Sequence, residues 1–152
     1  MRDVRETSRR IKGDDRQCDA AYAWESAFEH FNVCTLTLAE CQKLCNETLD
    51  AAGQDRVAVQ QGPSNRYSWC VPKLRLISMQ GPSRKCRGGM NVATVLHECA
   101  HQITHDLSGD RTQDHGPTWL GLYRKLLLAR EVMTAKEFQL TARKFKLRWR
   151  RT

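Results

Sequence analysis

His97, Glu98 and His101 stand in the order His-Glu-Cys-Ala-His, an arrangement whose residue types and spacing suit metal chemistry. On an α-helix, residues four apart lie one above the other, so His97 and His101 can close on one ion from the same side. Glu98 falls beside them. Two neutral imidazoles, an open position for water and a carboxylate that takes that water's proton make a zinc hydrolase site. With five His in 152 residues, chance matches to this pattern are expected at ~0.01 per chain of this composition. Val92, Val95, Leu96, Cys99 and Ile103 add apolar positions at helical spacing, as a helix buried on its other side requires. The bland alternative is an amphipathic helix with exposed histidines.

A third ligand is needed. His105 continues the four-residue ladder, but its Cα would lie about 12 Å along the axis from that of His97, too far for one ion at roughly 2 Å from each nitrogen. His115 is better placed. Leu107-Ser108-Gly109-Asp110 reads as a helix stop and His115-Gly116-Pro117 as a helix start, with Pro117 at the first helical position. Glu131 and Asp114 are rival third ligands, because sites of two histidines and one carboxylate also occur.

His97-Glu98-Cys99-Ala100-His101, followed after thirteen residues by His115-Gly116-Pro117-Thr118-Trp119, resembles the SprT-like, Spartan-type family of zinc metallopeptidases. It is also similar to a group of small actinobacterial and phage metallohydrolases. The resemblance is specific over residues 90 to 128 and looser from about residue 17. It implies a zincin-like minimal metallopeptidase core, zinc on His97, His101 and His115, and Glu98 as general base. Bacterial relatives often append a zinc ribbon of paired CxxC motifs. This chain contains no CxxC, so the resemblance covers the catalytic core and not the targeting machinery.

Three segments follow from composition. Residues 1–16 carry six basic and four acidic residues with only Val4 and Ile11 as aliphatic anchors, so burial cannot offset their ordering entropy and a flexible arm is expected. No apolar run follows the arginines as a signal peptide would require. Residues 17–132 are assigned to the metallopeptidase domain and 133–152 to a basic amphipathic C-terminal helix. The seven cysteines are odd in number and show no framework spacing, which suits a reduced, cytoplasmic chain. Cys41 and Cys45 could share a metal with a partner, but small apolar packing is the plainer role. Cys99, two residues from both histidines, should point away from the metal.

The elements expected to position the site are five helices and three short strands, an α+β class with a small, mostly antiparallel sheet. Ala20, Ala21, Trp24, Ala27, Phe28 and Phe31 repeat at helical period after Asp19, a candidate N-cap. Thr37 and Glu40 form a capping box for a second helix that Gly53 stops. Strands are read at Val57 and Val59, at Tyr67 to Val71, and at Leu74 to Met79, the last a candidate exposed edge for an extended peptide, beside the plainer reading of a sheet that only completes the core. The tetrapeptide Gln-Gly-Pro-Ser at 61–64 and 80–83 reads as repeated turn chemistry. Ser83 to Gly89 is a basic link into the metal helix, and His30 a solvated surface residue.

Trp119, Leu122, Tyr123, Leu126 and Leu127 continue a helix from Pro117, with Tyr123 a candidate donor to a tetrahedral oxyanion. Ala135, Phe138, Ala142, Phe145 and Trp149 form the apolar stripe of the last helix. Its remaining face carries seven basic residues and one acid, most of the net charge of +8. Such a concentration is an electrostatic footprint for DNA bound through phosphates, or else a solvated face. The expected function is zinc-dependent hydrolysis of peptide bonds, on protein associated with DNA if the resemblance extends that far. Two alternatives stand beside it: a DNA-binding or phage accessory protein with a structural zinc, and a metal-dependent hydrolase of non-protein substrates.

Overall fold

A computed structural model describes residues 17–28, 35–65, 67–81, 89–109 and 114–151. The N-terminal arm, His30, Phe31 and the basic link up to Gly88 lie outside the described residues. In chain order the elements are α1 (Cys18–Ser26), α2 (Leu38–Ala51), β1 (Ala58–Gln61), β2 (Trp69–Val71), a 3-10 turn (Pro72–Leu74), β3 (Leu76–Met79), α3 (Val92–Ser108), α4 (Pro117–Ala129) and α5 (Ala135–Lys144). The class is α+β, a small sheet packed against helices.

Helix ends follow local chemistry. Thr37 and Glu40 cap α2 reciprocally, Thr134 and Glu137 do the same for α5, and the Asn91 side chain accepts the Thr94 N–H at the start of α3. Three helices end in the Schellman arrangement. Gly53, Glu131 and Lys146 take positive φ at the C′ positions of α2, α4 and α5, and each following residue donates back to the last turn, as Leu147 N–H does to Ala142 O at 2.9 Å. The expected cap of α1 differs. Gln17 and not Asp19 precedes the helix, and it makes no side-chain cap, because its amide is engaged elsewhere.

The sheet is mixed. Its order is β1-β3-β2, with β1 parallel to β3 (Ala58 opposite Leu76, Gln61 opposite Met79) and β2 antiparallel to β3. Leu76–Met79 is therefore the central strand and not the edge expected of Leu74 to Met79. The reason is local: Pro72 opens the 3-10 turn and Arg75 takes φ +47, so the chain reverses before Leu76 and feeds the strand between its neighbours. Ile77, Ser78 and Met79 are buried accordingly. The outer edge of β1 is fastened by Gln42, whose amide accepts the Val59 N–H at 2.8 Å and donates to Val57 O at 3.0 Å. The backbones at Gly62 and Gly81 pass close to one another, and a Cβ at Gly81 would meet Gly62 O at 2.7 Å.

Helix α3 is the centre of the molecule. It packs against α4 and, elsewhere on its surface, against α2, β2 and the 3-10 turn, so most of its residues are buried. Trp24 of α1 adds an aromatic cluster, edge-on to Phe28, Tyr123 and Phe138 at 5.5, 6.1 and 5.5 Å. The C-terminal helix is shorter than expected. It stops at Lys144, and the chain then runs without helix through Arg151, along α4. Arg150 N–H donates to Pro117 O at 2.9 Å. At Gly121 a Cβ would stand 2.4 Å from Arg150 O, so only glycine admits this strap. Trp149 reaches the core from the strap, edge-on to Phe138 at 5.2 Å. No helix among the described residues is long and apolar enough to cross a membrane.

Candidate metal centre

Helix α3 places His97 and His101 on one face, and the turn before α4 brings His115 to meet them. His97 Nε2 lies 3.1 Å from His101 Nε2 and 3.3 Å from His115 Nε2. Two nitrogens held at ~2.0–2.1 Å by one tetrahedral zinc would be about 3.3 Å apart, so the spacing suits a shared ion. The three can hold a metal, and no other His, Cys, Asp or Glu among the described residues joins the group. His97 and His115 are buried while His101 is partly open, so any approach is on the His101 side. Pro117 at the first position of α4 fixes the direction in which the chain leaves His115.

The rival ligands sit elsewhere. Glu131 takes the C′ position of α4, exposed and at the opposite end of that helix from His115. Asp114 is exposed and outside the converging group. His105 lies one turn beyond His101, with Nδ1 3.8 Å from Asp106. Cys99 points away as expected: its thiol donates to Cys45 Sγ at 3.4 Å. Cys41 and Cys45 are core residues, and burial pushes the Cys41 thiol up to about 11.

Support for the histidines comes from a residue that the motif does not contain. Glu25 of α1 places its carboxylate oxygens 2.9 and 3.0 Å from His97 Nδ1. Taking the Nδ1 hydrogen, it leaves the Nε2 lone pair facing the centre, as metal-bound histidines require. A sequence signal existed. Ala21, Trp24 and Glu25 share the inner face of α1, so a carboxylate occupies a position where the period asks for an apolar residue. Burial would push His97 down, but the charge and hydrogen bond of Glu25 outweigh it and hold the imidazole up at about 8. His101 is held well below its ordinary value by burial, then by His115 and His97.

Tyr123, a candidate oxyanion donor, lies behind the centre instead, against Glu25 and the Ala93 carbonyl. Its hydroxyl lies 3.3 Å from Glu25 Oε2 and 3.2 Å from Ala93 O, so it steadies the carboxylate on the side of His97 away from the other histidines. Trp119 stacks on His101 at 5.2 Å and 21° and donates to His97 O at 3.4 Å. Gln17 closes the far side. Its amide donates to His115 O at 2.7 Å and to Arg148 O at 3.0 Å, and accepts the Arg148 N–H at 3.0 Å. The strap is thus tied to the backbone of the third histidine.

Glu98 is buried beside His97, and burial raises its carboxyl to about 7, against the pull of His97 and with the push of Glu25. A carboxyl near neutrality can both take and return a proton. Comparison of the chain with protein-family models, with curated proteins and with solved structures finds no match.

Proposed function

We propose that this chain is a zinc-dependent metallopeptidase of SprT-like type. The reading is carried by three imidazole nitrogens that converge on one point with no fourth protein ligand among the described residues. Structural zinc sites are closed by four protein ligands, whereas catalytic sites keep one position open. Three imidazoles suit zinc as well as copper, nickel or iron. The buried carboxylate of Glu98 next to them favours hydrolysis.

Zinc bound there would polarise a carbonyl and lower the pKa of water. The protein's own groups do the rest. Glu98, ionised above about pH 7, accepts the proton of the attacking water on its carboxylate and passes it to the leaving amine nitrogen. Glu25 keeps His97 in the tautomer whose Nε2 faces the centre. Trp119 excludes water from behind His101.

The placement of the basic segment supports a protein substrate held on DNA. Arg143, Lys144, Lys146, Arg148, Arg150 and Arg151 are exposed, and Gln17 joins Arg148 to His115. A polyanion on the strap would lie beside the metal centre, bound through phosphates and weakened by salt. The decisive experiment pairs elemental analysis with a peptidase assay, with and without DNA, on wild type, His115→Ala and Glu98→Gln. One zinc per chain, lost in His115→Ala and kept in inactive Glu98→Gln, is the expected result. Full activity in Glu98→Gln would refute the mechanism.

A further inference from the structure

Helical pitch puts His97 and His101 on one face of α3 without outside help. His115 stands in a turn ahead of α4, so its place depends on what holds that turn. Two of its carbonyls are held by way of the C-terminal strap. His115 O accepts from the Gln17 amide at 2.7 Å, and the same amide pairs with Arg148, donating to its O at 3.0 Å and accepting its N–H at 3.0 Å. Pro117 O accepts the Arg150 N–H at 2.9 Å. The strap is thus fastened on both sides of Gly116. It lies there because Gly121 has no side chain, since a Cβ would stand 2.4 Å from Arg150 O. Gln17 directly precedes α1, and Glu25 near the other end of that helix bonds His97 Nδ1 at 3.0 Å. One short helix therefore reaches two of the three histidines, His97 by its ring and His115 by its backbone.

A site binds its ion tightly when the ligands are in place beforehand, because the free energy of ordering them is otherwise lost from binding. We propose that Gln17 is a positioning residue of the metal centre: through His115 O it lets the strap over residues 145–151 set how tightly the third histidine, and with it the whole site, holds an ion. The inference rests on the three-histidine metal reading and not on peptide hydrolysis. Gln17 touches neither ion nor substrate, and its whole effect passes through the His115 turn. With the strap displaced, the pair on α3 remains and the third ligand is no longer preorganised.

The test uses the full chain and three readouts: zinc affinity by competition with a chromogenic chelator, the visible spectrum of the Co(II)-loaded protein, and urea stability without metal. Gln17→Met keeps the length of the side chain and removes its amide. Gly121→Ala expels the strap without touching α1 or a histidine, and favours the α4 helix by propensity. Thr141→Val is the control, removing the acceptor of the Trp24 indole N–H at 3.0 Å, a different tie from α1 to the C-terminal helix. Gln17→Met and Gly121→Ala are each expected to weaken zinc about tenfold, the low end for residues that support metal ligands. Both should move the Co(II) spectrum toward that of His115→Ala. Together they should lose little more than either alone, because both free the same strap, while Thr141→Val keeps zinc affinity within about twofold. Unchanged zinc affinity in Gln17→Met overturns the assignment and leaves the metal reading intact. An equal loss of affinity in Thr141→Val overturns it in favour of a general loosening of α1. A wild type that binds zinc but cleaves no peptide refutes the peptidase reading, and a tenfold loss in Gln17→Met still upholds the positioning role. A wild type that takes up no zinc overturns the metal reading and the positioning role together.

Discussion

Replacing Glu98 by glutamine should make the metal-free protein more stable, by an amount that depends on pH. Burial raises the Glu98 carboxyl from 4.5 to about 7, so between these values the unfolded chain ionises while the folded chain still holds its proton. The sign follows directly. Below about pH 4.5 both states are protonated and Glu98 carries no penalty, and above about pH 7 the full cost of a buried carboxylate has accumulated. At about 1.4 kcal/mol for each pH unit separating the two pKa values, the penalty is about 1 kcal/mol at pH 5 and about 3 kcal/mol at pH 8. Glutamine keeps the shape and removes the charge. Urea unfolding of wild type and Glu98→Gln in the presence of a chelator, at pH 5 and pH 8, should show the variant's advantage growing by about 2 kcal/mol between them. Zinc should shrink the gain, since a nearby cation favours the carboxylate. A variant advantage flat from pH 5 to 8, or a wild type more stable than the variant at pH 8, would refute the reasoning.

Glu25→Gln should weaken zinc binding by about 10- to 100-fold, because the acceptor that fixes the His97 tautomer loses its charge; a competition titration with a chromogenic chelator measures it, and an unchanged affinity would count against the pairing. Since Glu25 holds His97 up at about 8, a proton competes with the metal below that pH. Zinc affinity should therefore rise from pH 6 to about 8 and level off beyond, and affinity independent of pH across this range would contradict the assignment. Lys146 sits at φ +57, where a Cβ is strained, so Lys146→Gly should raise stability by about 0.5–1 kcal/mol. Thermal unfolding checks this, and a lower Tm would show that the lysine side chain contributes more than its backbone strain costs.

The three histidines were legible because their meeting is mostly local. The His97 to His101 contact is set by helical pitch alone, and His115 needs only a turn and a helix start at Pro117. The capping boxes at Thr37 and Thr134 were legible for the same reason. Glu25 was not, since its pairing with His97 spans 72 residues, and helical period describes which face of α1 is buried, not what waits opposite. Strand order was hidden too. Elements of three and four residues carry too little pattern to separate a central strand from an edge, and the αL residue Arg75 that decides the matter is not a glycine. The last helix was read too long because Phe145 and Trp149 do join the apolar stripe. The stripe is completed across a break, and a left-handed lysine makes the break.

Gln17 also bears on when the centre can exist. Its partners are His115 and Arg148, 98 and 131 residues away, and the other contacts of α1 span 72 to 117 residues. A helix of nine residues has little stability alone, so α1 acquires its place only after such long loops close, a step whose entropy makes it slow. During synthesis, the whole of α3 leaves the ribosome before Arg148 does, and α1 cannot be clasped until Arg148 has followed. Assembly of the complete centre is thereby deferred to the last stage of folding, and a nascent chain carries its two-histidine helix without the surroundings that complete the three-histidine cluster.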